Sequence, residues 1–250
     1  MKLLTIALII STTLFTQSSH AQILKIASDA SYPPFSYIDS NNELKGFDID
    51  ISYALCKKMN VECSIITQDF EGMIPGLLAK KYDAIVSSLA PTEERLQKID
   101  FTDPYYNTAL VIIVAKDSEI KEISAAAFKG KNLGAQSNTI QAVYAEDHYA
   151  PEGVNIKLYP TIIEANRDLL SHRLDLMICD KIQALNWLEN EGKDCCKLLG
   201  TLESTKFPIA IALRKNNHDL KNKLNEAIKE IRLDGTYEKI MKKYFAFDIY

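Results

Sequence analysis

The sequence is short of the residues from which several common sites are built. It has nine glycines and four histidines, and the histidines are scattered along the chain: His20, His148, His172 and His218. Such spacing argues against a zinc site or a histidine-based catalytic triad. No Walker loop, dinucleotide-binding glycine motif or G-x-S-x-G elbow is present. We therefore expect no catalytic residues, no cofactor and no metal.

The chain also lacks concentrated positive charge. Its 29 Lys and Arg residues against 33 Asp and Glu residues give a formal net charge of -4, and no basic block stands out. Because nucleic-acid phosphates are held by clustered cations, we expect no nucleic-acid partner. With 250 residues, of which 25% are charged, the sequence is that of a globular protein of one large domain or two small ones.

Long apolar runs are missing except at the N-terminus. Lys2 precedes an apolar stretch over residues 3–15, and the small residues Ser19 and Ala21 occupy positions -3 and -1 of a cleavage site. This pattern is typical of a secretory signal peptide, and the stretch is too short to span a bilayer comfortably. We predict that residues 1–21 are a cleaved signal peptide and that the mature protein is periplasmic; a buried helix is the alternative.

All five cysteines lie after the predicted cleavage site. Cys56 and Cys63 are seven positions apart, and a helix end, a turn at Asn60 and a new strand would bring them together. In an oxidising compartment this spacing favours a disulfide, with metal ligation as the weaker alternative because no histidine lies near. The odd total requires at least one thiol that is free or paired with another molecule. Spacing leaves open the pairing of the other three: Cys179, Cys195 and Cys196.

Strand and helix patterns alternate from residue 24 onward. Three short apolar runs are typical of buried strands: 24–28, 62–67 and 83–86. Between them, two segments have the spacing of amphipathic helices: 47–59 and 72–81. A second series of the same kind covers 130–188, and 219–245 has a helical pattern. Repeated strand–helix–strand units predict an α/β fold with mainly parallel sheets.

Two longer β-rich runs, 109–115 and 207–213, separate these series. They indicate that the chain leaves a first lobe, builds a second lobe and then returns to the first. We predict two lobes joined by two crossing strands. Lobe 1 is discontinuous and comprises 22–110 and 209–250, and lobe 2 comprises 111–208.

A sequence pattern that occurs twice draws attention to the ends of two predicted strands. Residues 77–88 and 169–180 both run from a helix end through Asp into an apolar strand that ends in polar residues. Open α/β sheets bind ligands beyond the carboxyl ends of their strands, so Ser87, Ser88 and Asp180 are candidate site residues. A chance similarity between two ordinary units is the alternative.

Two further charged residues lie at a strand end or near a helix start, positions from which a side chain can contact a ligand. Asp29 follows the first predicted strand, and Arg95 lies one turn inside a helix that begins near Thr92. An arginine fork near the free N–H groups of a helix start would hold a carboxylate. Asp29 could equally be a turn residue, and Arg95 a surface partner of a nearby glutamate.

Ten short stretches together carry a resemblance to one family: SYPPF at 31–35, GFDID at 46–50, ALCKK at 54–58, IPGL at 74–77, DAIVSS at 83–88, PTEER at 91–95, FTD at 101–103, KGK at 129–131, DGTYEK at 234–239 and KKYF at 242–245. In order and number these resemble the periplasmic amino-acid-binding proteins of ABC importers, most closely the lysine/arginine/ornithine and histidine branch. The resemblance covers nearly the whole mature chain.

This resemblance implies a two-lobed periplasmic-binding-protein fold of type II, with two hinge strands and a central ligand cleft. It implies a monomer that captures a polar, basic L-amino acid (arginine, lysine, ornithine or histidine) and delivers it to the ABC permease in the membrane. The pair Cys56 and Cys63 matches the disulfide of that branch.

By position, the resemblance implies which residues would hold the two charged ends of the ligand. Arg95 would clasp the α-carboxylate, and Asp180 and Ser88 would hold the α-ammonium group. Backbone N–H groups would assist the arginine, at three positions: Ala90, Thr139 and Ile140.

The resemblance also implies contacts to the ligand side chain. Tyr32 and Phe70 would form the walls around it, and Ser87 lies towards it. Asp29 matches the acidic residue that meets a distal cationic group, so a neutral ligand would leave this carboxylate without a partner.

Departures from the family pattern affect the identity of the ligand more than its class. Ala90 stands where Ser or Thr is frequent, Asn138 where Gly is usual, Ile140 where relatives have Thr and Gln136 where they have Leu. A secreted cyclohexadienyl dehydratase, acting on arogenate or prephenate with Asp29 as the acid or base, is the alternative. A sensor module that acts through a separate membrane receptor is a third possibility.

Overall fold

The computed structural model describes residues 23–250, so the predicted signal peptide at 1–21 lies outside the described residues. Within that part of the chain, none of the helices has the length and apolar character needed to cross a membrane.

Strands and helices alternate as an α/β protein requires. The strands are β1 (Ile23–Ser28), β2 (Ser31–Tyr32), β3 (Ser36–Ile38), β4 (Leu44–Lys45), β5 (Glu62–Thr67), β6 (Ala84–Ile85), β7 (Asp100–Ala115), β8 (Asn132–Gln136), β9 (Asn155–Tyr159), β10 (Leu176–Asp180) and β11 (Cys196–Leu213). The α-helices are α1 (Phe47–Lys58), α2 (Met73–Leu78), α3 (Glu93–Lys98), α4 (Ala125–Phe128), α5 (Ile140–His148), α6 (Ile162–Leu170), α7 (Lys181–Glu189), α8 (His218–Leu233) and α9 (Thr236–Tyr244).

One mixed sheet runs through the molecule in the order β5-β1-β6-β11-β7-β10-β8-β9. At each end the pairing is parallel, between β1 and its neighbours β5 and β6, and between β8 and its neighbours β9 and β10. The central strands β7 and β11 pair antiparallel with each other and with their outer neighbours. The prediction of mainly parallel pairing therefore holds at the two ends of the sheet and not at its centre.

The two central strands are longer than predicted. β7 has 16 residues and β11 has 18, and they pair along most of their length with a register shift between Leu202 and Phe207. They run in opposite directions because one leads the chain away from the first group of strands and the other brings it back. The lobe boundaries predicted at 110/111 and 208/209 fall inside β7 and β11.

Separate apolar cores lie on the two ends of this sheet. One core packs α1, α8 and α9 against β1, with Leu55, Leu224 and Ile26 fully buried. At the other end, separate clusters pack α5 against β8 and β10, and α6 and α7 against β10. Because each core draws mainly on one group of strands, each end of the sheet can hold its helices independently.

Two predicted helices differ in extent. The segment 72–81 is helical only over Met73–Leu78, after a 3₁₀ turn at Phe70–Gly72. The segment 219–245 is divided into α8 and α9 at Gly235, whose φ of 79° is left-handed. Glycine takes this conformation readily and ends helices for that reason.

The cysteines fall into two pairs and one single thiol. Cys56 on α1 is bonded to Cys63 on β5, with their Cα atoms 6.0 Å apart, which confirms the predicted disulfide. The adjacent Cys195 and Cys196 are bonded to each other, and Cys179 is a buried free thiol. Spacing alone had not assigned these last three.

Candidate functional site

One cavity brings together all ten residues that the sequence predicts as ligand contacts. They are Asp29, Tyr32, Phe70, Ser87, Ser88, Ala90, Arg95, Thr139, Ile140 and Asp180. The first seven belong to the predicted lobe 1 and the last three to lobe 2. The cavity lies where the loops after β1, β6 and β8 and the end of β10 meet, as expected for strand ends in an α/β sheet.

Asp180 is a buried carboxylate at the end of β10 and the start of α7. Its Oδ1 accepts hydrogen bonds from the backbone N–H groups of Ile182 (2.8 Å) and Gln183 (3.1 Å), so it caps the helix. Both capping bonds use the same oxygen, which leaves Oδ2 free of them. Burial raises the pKa of Asp180 to about 6, and the Thr108 hydroxyl and the two capping N–H groups oppose this rise. A cation placed beside Oδ2 would favour the charged form.

Asp29 is a second buried carboxylate, directly after β1. Its Oδ1 accepts hydrogen bonds from the backbone N–H (2.9 Å) and hydroxyl (2.7 Å) of Ser31, while its own N–H donates to Ser87 Oγ (2.9 Å). The turn-residue role considered for Asp29 is thus present, and the residue lines the cavity as well. Burial raises its pKa, against hydrogen bonds from Ser31 that lower it.

Arg95 brings the positive charge. Its Nη1 donates to the carbonyl oxygen of Ala90 (2.8 Å), and Nη2 donates to that of Asn138 (2.7 Å), which belongs to the predicted lobe 2. A guanidinium has five N–H donors, so these two bonds leave three for another acceptor. Burial lowers the pKa of Arg95 to about 10, which still leaves the group charged at neutral pH. Arg95 is partly buried, and within residues 23–250 no salt bridge pairs it with Glu93 or Glu94, the surface partners considered for it.

The loop after β6 carries three of the predicted residues. Ser88 has a φ of 51°, a left-handed backbone that is uncommon for a residue other than glycine. Its hydroxyl donates to Oδ2 of Asp48 (3.0 Å). Ser87 is buried and accepts the N–H of Asp29, and Ala90 is buried beside them. The turn therefore places two hydroxyl oxygens and a carbonyl at the edge of the cavity.

The start of α5 closes the opposite side. Thr139 is its N-cap and accepts the N–H of Ala142 (3.2 Å), while its hydroxyl donates to the carbonyl of Gln136 (2.7 Å). Ile140 is the first helical residue, where N–H groups have no partner within the helix. Asn138 keeps the left-handed turn that glycine would make, with a φ of 60°.

Three aromatic residues line the cavity: Tyr32, Phe70 and Phe207. The sequence predicted the first two. Tyr32 stacks on Phe35 with the ring centroids 5.9 Å apart. Phe70 lies in the 3₁₀ turn before α2, and the guanidinium carbon of Arg95 is 5.8 Å from the centre of its ring. Such rings can pack against the aliphatic or cationic side chain of a ligand.

Four lining residues were not predicted as ligand contacts, although Gln136 was noted as a departure from the family pattern. They are Gln136, Gln141, Phe207 and Ile209. Gln136 ends β8, so the same strand-end rule that selected Ser87 and Asp180 could have selected it. Phe207 and Ile209 lie inside the long strand β11 and carry no local signal. Among residues 23–250, no group of three or more His, Cys, Asp or Glu side chains could hold a metal ion.

Comparison with known proteins gives a consistent result. The family model for bacterial extracellular solute-binding proteins, family 3, matches residues 24–247. A histidine-binding periplasmic protein of Salmonella typhimurium is 39% identical over 235 residues, which are 92% of this chain and 90% of that protein. An L-arginine-binding protein of Pseudomonas aeruginosa is 37% identical over 232 residues, 91% of this chain and 89% of that protein.

A solved structure extends the comparison to the fold. An ancestral arginine-binding protein bound to arginine superposes with a TM-score of 0.86 at 34% identity, covering 91% of this chain and 100% of that chain. The predicted two-lobed α/β fold is therefore confirmed. The relatives named here are binding proteins.

Proposed function

Because the chain belongs to family 3 of the bacterial extracellular solute-binding proteins, we propose that it captures an L-α-amino acid in its central cavity and delivers it to the permease of an ABC importer. The predicted lobes, 22–110 with 209–250 and 111–208, close over the ligand by bending within β7 and β11. The protein acts as a monomer in the periplasm, and it is a carrier and not an enzyme.

One observation carries this proposal: the cavity presents charges of both signs from opposite sides. Arg95 comes from the predicted lobe 1 and Asp180 from lobe 2, and each has hydrogen-bonding capacity that the protein does not use. An α-amino acid is a zwitterion whose charges need partners when it is buried. A ligand that bridges these two residues satisfies both of its ends and ties the lobes together.

The third buried charge, that of Asp29, determines which ligand side chain is preferred. Asp29 holds Ser31 with one carboxylate oxygen and keeps the other for the cavity. A neutral ligand would leave this carboxylate buried and unpaired, whereas a basic ligand pairs with it. We therefore assign arginine, lysine, ornithine or histidine as the ligand, with arginine slightly favoured because Phe70 can stack on its guanidinium group.

A melting screen with the twenty amino acids and ornithine tests the proposal. A ligand at about one hundred times its Kd stabilises the folded state by about 2.7 kcal/mol, so basic amino acids should raise the Tm clearly. A larger shift with glutamine or glutamate than with arginine would overturn the choice of ligand. Aromatic product on incubation with arogenate or prephenate would show an enzyme instead.

A further inference from the structure

Asp48 is a carboxyl group buried next to the candidate site without lining it. It is the second residue of α1, it has no exposed surface and it is absent from the cavity wall. Its Oδ1 accepts the hydroxyl of Tyr105 (2.8 Å) and its Oδ2 accepts that of Ser88 (3.0 Å). Ser88 thus connects it to the cavity.

No positively charged side chain of the described residues pairs with Asp48. The ionisable groups that face it are one carboxyl and four phenols: Tyr105 and Tyr106 on β7, Tyr32 on β2, Tyr237 on α9 and Asp180 at the start of α7. Within residues 23–250, no salt bridge includes Asp48, and β1, β3, β4, β5 and α8, which also pack near α1, bring no buried charged side chain.

The protonation state of Asp48 decides how Ser88 can meet a ligand. When Asp48 is ionised, it can only accept, so the Ser88 hydroxyl donates its single proton to it and turns its lone pairs elsewhere. When Asp48 is protonated, its own O–H can donate to Ser88, which frees the serine proton. An ammonium group is a donor only, so the first arrangement favours it: the serine proton points to Asp48 and both lone pairs of the serine oxygen stay available.

Asp48 can exist in both states near neutral pH. Burial raises its pKa to about 7, and the hydrogen bonds from Tyr105 and Ser88 oppose that rise. The nearby Asp180 raises the pKa of Asp48 further, since two negative charges in one buried region repel each other. A cation brought to Ser88 and Asp180 acts in the opposite direction and favours the ionised form.

We propose that Asp48 is a positioning residue for the ligand α-ammonium group, which acts through Ser88 and releases its proton to solvent when the ligand binds. The inference rests on the proposed function, because it takes Ser88 to face the ammonium group. No covalent bond to the ligand forms: the Asp48 O–H bond breaks, its proton goes to the buffer, and the carboxylate keeps the electron pair.

Calorimetry in two buffers of different ionisation heat measures this proton directly. The probes are L-arginine, L-lysine and L-glutamine, which share the ammonium group and barely change charge near pH 7. At pH 7 a group whose pKa is about 7 is half protonated, so binding should release about half a proton. Asp180, whose pKa is about 6, can add about a tenth. Asp29, whose pKa burial also raises, can add a further part with the two basic probes, so L-glutamine gives the cleanest measure.

With L-glutamine, Asp48→Asn should lower this release to about a tenth of a proton. It should weaken binding roughly tenfold at pH 8, where a charge-assisted hydrogen bond becomes a neutral one. The loss should be smaller at pH 5.5, where the wild-type group is already neutral. Asp50→Asn is the matched control, since Asp50 lies two positions along α1 and pairs with Lys243 (2.7 Å) at the surface. It should keep the wild-type release.

A second variant keeps the inference testable if Asp48→Asn does not fold. Ser88→Ala leaves Asp48 in place and should lower both the affinity and the proton release. In the Ser88→Ala background, Asp48→Asn should cost no further affinity, because the two residues act as one unit.

Three results would overturn the inference: a release below about a tenth of a proton in the wild type, a release unchanged in Asp48→Asn, or independent effects of the two substitutions. Any of these with normal binding leaves the proposed function standing. Binding of none of the three probes refutes the proposed function and this inference with it.

Discussion

Asp29→Asn separates the charge of this residue from its shape. Oδ1 of Asp29 accepts two bonds from Ser31, and the amide oxygen of an asparagine can accept the same two bonds. The bond to Ser87 comes from the backbone N–H of Asp29 and does not depend on the side chain. The substitution should therefore leave the turn after β1 in place and remove only the negative charge.

The expected loss for arginine follows from the strength of a charged hydrogen bond. Such bonds contribute about 1.5–3 kcal/mol, so the Kd for arginine should rise by roughly ten- to a hundredfold. Glutamine has no distal charge, and its Kd should change by less than about threefold. Because burial raises the pKa of Asp29, titration calorimetry at pH 8 gives the clearest comparison.

The matched control is Asp39→Asn. Asp39 Oδ1 likewise accepts backbone N–H bonds, from Asn41 and Glu43 (both 2.9 Å), but it lies on an exposed loop away from the cavity. Its replacement should leave both affinities unchanged. If Asp29→Asn weakened arginine and glutamine equally, or left arginine binding intact, the assignment of Asp29 to a distal cation would be wrong.

Three further predictions concern the carboxylate clamp, the disulfide and the effect of pH. Arg95→Lys should weaken every amino-acid ligand by roughly ten- to a hundredfold in calorimetry, because lysine cannot bind the carboxylate in two places and keep both carbonyl contacts; an unchanged Kd would refute the clamp. Replacing Cys56 and Cys63 by serine should lower the free energy of unfolding by about 2–3 kcal/mol in urea titrations, and no change would contradict a stabilising loop closure. Folding raises the pKa of Asp48 to about 7 and of Asp180 to about 6 from an ordinary value of 3.8, so the folded state binds more protons than the unfolded state. These two groups should therefore make the free energy of unfolding of the ligand-free protein fall as the pH rises from about 4 to 7. Urea titrations at several pH values should show a smaller fall for Asp48→Asn.

Local sequence patterns predicted the parts of the fold that depend on local packing. β5 has the predicted bounds, and β1 and α1 lie within one residue of theirs, because the spacing of apolar residues reports which face of a segment is buried. β7 was predicted from 109 and begins at Asp100. Its first half is rich in polar residues and forms a strand because β11 pairs with it. The two segments are about a hundred positions apart, so a pattern read over a few neighbouring residues cannot reveal this pairing.

The candidate site divides in the same way. Five residues could be selected by their place at a strand end or helix start: Asp29, Ser87, Ser88, Arg95 and Asp180. The other five came from the family resemblance, and all ten line one cavity. Asp48 could not be selected for its relation to the site. Its two hydrogen bonds reach Ser88 and Tyr105, which are 40 and 57 positions away, and its place early in α1 is that of an ordinary acidic residue in a first helical turn.

The three charged side chains of the cavity are each held by hydrogen bonds from the protein, which explains how they can be buried. Arg95 is held by two carbonyl groups, and Asp180 and Asp29 are each held through Oδ1 by N–H or O–H donors. These bonds compensate part of the cost of removing each charge from water and fix its direction. Under the proposed function, a ligand with complementary charges would meet the remaining N–H donors of Arg95 and the carboxylates of Asp29 and Asp180, and would relieve the remaining cost of burial. We therefore expect the bonds that fix these three charges to favour a ligand with one anionic and two cationic groups.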